Sequence, residues 1–315
     1  MHVFAAVDVN ANPWAYAPHP EVWLLIAFLA GAYTYVIRVL GPRAVAPGEQ
    51  VTTRRQMQCA VAAIVLLWLV TDWPIHDISE KYLYCVHMLQ HMALAYFIPP
   101  LALLGTPEWF ARAVVGSGRG YRALRWLSKP VIAGVAFNAV VMVSHIPDLV
   151  NRSAENTPLH YVLHVWLVTM ALLMWNPVCG PFAEMRMGYG ARMIYLFLQS
   201  VVPTVPAGWL TFAEGVVYKH YDIPVRVFGL SATYDQQMAG LIMKIGGGMF
   251  LWSIVIYLFF KRFAAQHADA NTYRRSRQLG DAKMIDSAEE PLTYETVAEA
   301  FERHPAPAEP TPPRH

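Results

Sequence analysis

YLYCVHMLQHMALAYFIPPLALLG, residues 82–105, is long and apolar enough to cross a bilayer, yet it carries His87 and His91 four residues apart. In a helix this spacing stacks both imidazoles on one face, about a turn apart, where they can meet a common partner. The stretch therefore poses two questions at once: whether the chain is a membrane bundle, and what the histidines face inside it.

Composition answers the first. Of 315 residues, 56% are hydrophobic and 15% charged, and mean hydropathy is positive. Such a chain is too apolar to hide its long runs in a soluble core. The net charge of +2 is spread over short loops with no basic stripe, which excludes a nucleic-acid partner and leaves the lipid bilayer as the expected surroundings. Three cysteines, Cys59, Cys85 and Cys179, lack paired spacing and imply no disulfide framework. The first twenty residues have no basic n-region followed by an apolar core and a small-residue cleavage site, so the first span is expected to act as its own insertion signal.

Apolar runs matching a hydrocarbon core of about 30 Å fall near 21–40, 57–72, 82–104, 130–146, 159–176, 190–212 and 236–260, the second and fourth being the shortest. Runs this long, without strand-like alternation, predict helices rather than barrel strands. The fold class expected is all-α: a polytopic bundle of seven transmembrane helices over 21–262, a short outer segment 1–20, and a flexible cytoplasmic tail 263–315 rich in Ala, Arg, Glu and Pro. Basic residues collect in alternate loops: Arg38 to Arg55, Arg112 to Lys129, Arg186 and Arg192, and Lys261 to Arg277. This positive-inside pattern predicts a multi-pass plasma-membrane protein with its N-terminus outside and its C-terminus in the cytoplasm.

Orientation gives the histidines a depth. His87 and His91 fall in the outer half of span three, and span five repeats the pattern in LHYVLHVW, with His160 and His164 four apart. His145 ends span four in VSHIPDLV, and His76 lies in the second outer loop. Taken singly, His76, His145 and His160 are also read as wet or backbone-bonded residues at helix ends. His87, His91 and His164 lie deeper, where polar side chains usually line a site or pathway. Two such pairs at like depth point to a shared metal or cofactor site.

Imidazole suits copper, zinc, iron and nickel, and thioether or thiolate neighbours favour Cu(I). Met88, Met92 and Cys85 flank the first pair, and Met238 and Met243 lie in the outer half of span seven, although methionine is also ordinary packing material. The absence of Glu-x-x-His from the spans disfavours carboxylate-rich di-iron chemistry. Asp235 is either an N-cap or an orienter of a metal-bound imidazole. Pro203 and Pro206 should break span six, and Gly246, Gly247 and Gly248 should allow close helix contact in span seven.

VHMLQHMALAYFIPPLALLGTP, SHIPDLV followed by LHYVLHVWLV, PAGWLTFAEGVVYKHY and YDQQMAGLIM together resemble the CtaG family of bacterial cytochrome c oxidase assembly factors, over about residues 20–260. The resemblance implies a non-catalytic role in maturing a caa-type oxidase. Its expected partners are the haem–copper cytochrome c oxidase subunits, with copper handled or delivered at the outer face. The family's motifs fall on His87 and His91, on His145 and Pro147, on His160 and His164, and on Asp235 and Gln236. Lys244 stands where the family often has an aromatic residue. The metal residues expected are thus His87, His91, His145, His160, His164, Met243 and Asp235. Two other classes compete with this reading. One is a membrane redox enzyme holding haem through the histidine pairs. The other is a metal ion or proton transporter, which needs a polar path that spans one and two do not supply at mid-depth.

Overall fold

The computed structural model describes residues 12–288 and 293–303; residues 1–11 of the expected outer segment and the end of the tail from 304 lie outside the described residues. In chain order the main helices are α1 (Pro20–Ala44), α2 (Arg54–Thr71), α3 (Ile75–Lys81), α4 (Tyr84–Gly105), α5 (Glu108–Val115), α6 (Arg119–Leu127), α7 (Pro130–Ser144), α8 (Pro147–Ala154), α9 (Thr157–Cys179), α10 (Tyr189–Thr211), α11 (Ala232–His267) and α12 (Tyr294–Arg303). No strand occurs among the described residues.

Five helices, α1, α4, α9, α10 and α11, are each long and apolar enough to cross a membrane. Two further candidates are bent pairs: α2 with α3, turning by 47°, and α6 with α7, turning by 72°. The count is therefore five, or seven if each bent pair is one span, and the bends fall on the two runs that were shortest in the sequence. Large apolar side chains such as Leu24, Phe28, Val131 and Phe212 face outward, the pattern of a bundle whose solvent is lipid.

The shared interior contains Phe137, Ala171, Met174, Leu196, Ala207 and Leu210, all fully buried. Backbones approach closely at two glycines. A Cβ on Gly105 would meet the Ala60 backbone nitrogen at 2.7 Å, and one on Gly240 would meet the Ala207 carbonyl at the same distance. The closest approach in span seven is thus at Gly240; of the three glycines expected to allow contact, Gly247 packs against Met92 and Tyr96, while Gly246 and Gly248 have open space around them. The proline break in span six is present, with the helix interrupted between Val201 and Thr204 at Pro203.

π turns interrupt α4 at Ala93–Phe97 and α11 at Ile242–Gly246. Each adds a residue to the turn and leaves the local ladder of hydrogen bonds imperfect, a feature concentrated at functional sites. The Trp175 indole donates to the Ala95 carbonyl inside the first of them, at 3.0 Å.

The described residues divide into two compact units, one up to Phe259 and one from Phe260 onward. In the second, the helix continues to Ala288 and α12 follows, with an Arg303 to Glu299 pair along its surface.

Candidate metal centre

Each histidine-bearing element is held by a local device. The α9 start is capped by Asn156, whose side chain accepts from the Leu159 N–H at 3.0 Å, with Pro158 in the first turn. This fixes the register of His160 and His164. The α4 start has no cap of its own; Asp235 supplies it from α11, accepting the Tyr84 N–H at 2.7 Å and the Cys85 N–H at 2.9 Å. A carboxylate against a helix N-terminus satisfies orphan donors and complements the dipole. At the end of α7, the His145 Nδ1 meets the Val141 carbonyl at 2.6 Å. A carbonyl only accepts, so this bond puts the ring proton on Nδ1 and leaves a lone pair on Nε2.

The bend after α2 carries Glu80, on α3, over the same end of the bundle. Ligand atoms of Glu80, His87, His160 and His164 all lie within 4.8 Å of one another. Glu80 Oε1 and His160 Nε2 are 2.5 Å apart without hydrogen-bond geometry, and both are buried atoms lacking a hydrogen-bond partner, as is His87 Nδ1. Buried polar atoms are normally paired, and three unpartnered donor atoms in one place leave room for a shared ligand. Four donors converging in this way suit a cation. His91 is a step deeper, its Nε2 at 3.1 Å from that of His164. The His145 ring is 6.4 Å from His91, and its Nε2 also has no partner.

The segment between α10 and α11 closes this end. Gln236 accepts from the Val217 and Tyr218 N–H groups and donates to the Tyr218 carbonyl. In turn the Tyr218 hydroxyl donates to the His145 carbonyl and the Tyr221 hydroxyl to that of Ser79, both at 3.0 Å. Tyr84 stacks on His87 with centroids 5.6 Å apart and packs against both tyrosines. Ser79 and Val70 fix Gln90, whose amide donates to the Val70 carbonyl. At the rim, His19 bridges Asp77 at 2.7 Å and Glu21 at 3.2 Å. Burial opposes charge on this imidazole, but hydrogen bonds to the two carboxylates outweigh it and raise its pKa above the ordinary histidine value.

Of the residues expected at the site, His87, His160 and His164 share the four-donor cluster, and His91 adjoins it. His145 and Met243 lie on a small neighbouring cavity with His91. Asp235 is outside the cluster, both of its oxygens engaged by α4. Met238 is half-buried. Lys244, next to Met243, turns away to Thr204 and the Ser200 carbonyl at the α10 break. Glu80 is the residue that sequence reasoning missed: its only signal was a carboxylate in a short loop between apolar runs, beside His76.

Fold and site define a polytopic helical membrane protein with a buried histidine and carboxylate cluster at one end. The family model for the cytochrome c oxidase caa3 assembly factor, Caa3_CtaG, matches residues 31–265, and the chain belongs to that family. It is a cytochrome c oxidase assembly factor, a role that implies association with the oxidase. No curated protein and no solved structure matches it.

Proposed function

We propose that this assembly factor handles copper for the oxidase at the outer face of the plasma membrane, holding the ion between Glu80, His87, His160 and His164. The observation that carries this reading is the convergence of four donors, three of them with buried atoms that lack a hydrogen-bond partner. Three imidazoles and one carboxylate form a donor set that copper accepts readily in the divalent state. The carboxylate balances part of the ion's charge. The histidine rings pack 4.2–5.7 Å apart, a spacing that favours a single ion over a porphyrin between them. The chain then acts as a holder and not as an enzyme, and copper is its cargo.

The loop charges support an outward-facing site, with residues near 120 in the cytoplasm and residues near 150 outside. Reporter fusions at these two positions check the orientation, and an external signal from residue 120 would reverse it. The functional test is the copper and haem content of oxidase purified from cells with this chain, without it, and with His87→Ala. The expected result is oxidase apoprotein that is made but poor in copper in the second and third cases, partly restored by added copper. Fully metallated, active oxidase without the chain would defeat the proposal.

A further inference from the structure

One turn below the four-donor cluster lies a small cavity lined by His91, Met92, Tyr96, Ser144, His145 and Met243, with apolar residues around them. Its polar lining is prepared in an uneven way. His145 is 5% exposed, its Nδ1 proton is committed to the Val141 carbonyl, and its Nε2, without a partner, carries the free lone pair. A backbone carbonyl holding one ring nitrogen in this way orients a ligating imidazole and fixes its tautomer. The two thioethers come from different helices, Met92 on α4 and Met243 on α11, and both residues are buried. Both π turns border the cavity: Ala95 and Tyr96 belong to one and Met243 to the other. No carboxylate lines it.

We infer that this cavity is a second, separate metal site, selective for a soft monovalent ion of the Cu(I) or Ag(I) class, held by His91, His145 and the thioethers of Met92 and Met243. The inference rests on the proposed four-donor site only in assigning the two sites different preferences. Thioether and imidazole without carboxylate favour a soft monovalent ion, whereas Glu80 gives the outer cluster a charge and a hard oxygen that favour a divalent one. The expected single site is thus divided. His91 belongs with the soft set, and His164, 3.1 Å from it, forms the wall between the two. A carboxylate-free pocket lets a monovalent cation enter with little excess charge, and the sulfurs replace its hydration.

The test uses the full chain purified in detergent. It is loaded with Ag(I), with Zn(II), or with both, and analysed by elemental analysis and X-ray absorption at the silver edge. The wild-type protein is expected to hold one zinc and one silver together, with sulfur in the first coordination shell of silver. Met243→Leu and Met92→Leu conserve volume and should reduce silver occupancy while leaving zinc in place. Glu80→Gln should do the reverse. A silver spectrum showing no sulfur, or silver occupancy unchanged in the Met92→Leu/Met243→Leu double variant, overturns the soft site. Wild-type protein that holds silver but takes up no zinc would instead remove the four-donor reading and leave this one standing. Unchanged elution on size exclusion, required of each variant, separates ligand loss from unfolding.

Discussion

Asp235 and Glu80 each bring a carboxylate into the histidine end of the bundle, Asp235 at the start of α11 and Glu80 at the end of α3. Around Asp235 both oxygens take backbone N–H groups of α4, and the adjacent Gln236 satisfies three further backbone groups of the closing segment. Around Glu80 the reverse holds: one oxygen and the facing nitrogens of His87 and His160 are buried without hydrogen bonds. A saturated buried carboxylate stabilises a fold, while an unsaturated one costs free energy unless something else completes it. The difference separates scaffold from site within one layer of the molecule. It also shows why burial and charge alone do not identify a ligand.

The largest effect that would break this contrast is expected at Asp235. Replacing it with Ala strips two N–H groups at the α4 start of a charged acceptor. Since hydrogen bonds to charged groups contribute about 1.5–3 kcal/mol each, a loss of about 3 kcal/mol or more is expected. The readout is thermal unfolding and monodispersity of the detergent-solubilised protein, and Asp235→Asn should recover part of the loss. An unchanged melting temperature for Asp235→Ala would remove Asp235 from the scaffold.

Glu80→Gln should behave in the opposite manner. The side chain keeps its shape, and with no backbone group depending on its carboxylate the stability of the metal-free protein should change little. Divalent metal affinity should fall by at least roughly tenfold to a hundredfold, the range seen when only the groups that orient the ligands of metal sites are removed. Isothermal titration with Zn(II) and Cu(II) measures both sides of the comparison. A destabilised protein with intact affinity would make Glu80 structural and leave the histidines to bind alone.

What could be read in the sequence divides along the same line. His87 with His91 and His160 with His164 were legible because helical periodicity is a local property, and each helix presents its own pair. The proline break at Pro203 was legible for the same reason. Glu80 was not, because the 47° turn between α2 and α3 that carries it over the cluster is a tertiary event in a segment that reads as loop. Asp235 reads in sequence as the cap of its own helix, a position that Ser231 fills, whereas its capping of a helix 151 residues away in sequence is not encoded locally. The division of His91, His145 and Met243 from the other histidines depends on which neighbours crowd each ring, and spacing within a helix does not encode that.

The smallest effect sharpens the comparison at the rim, where His19 joins the segment before α1 to Asp77 of α3, the same short helix that carries Glu80. The contacts at Asp77 and Glu21 outweigh the opposing effect of burial and raise the pKa of His19 in the folded protein above its value in the unfolded chain. Protonation therefore favours the docked state. The stabilisation is fully present below the ordinary histidine value of about 6.5 and is lost as pH rises through the higher folded-state value. His19 is partly solvated and solvent screens the pair, so the effect is expected to be local. Amide exchange of residues 12–24, followed from pH 5.5 to 8.5 and corrected for intrinsic rates, should show falling protection across the upper part of that range, and His19→Gln should abolish the dependence. Protection that instead rises with pH would mean that His19 docks as the neutral imidazole, and the bridge to Asp77 would then hold α3 without charge.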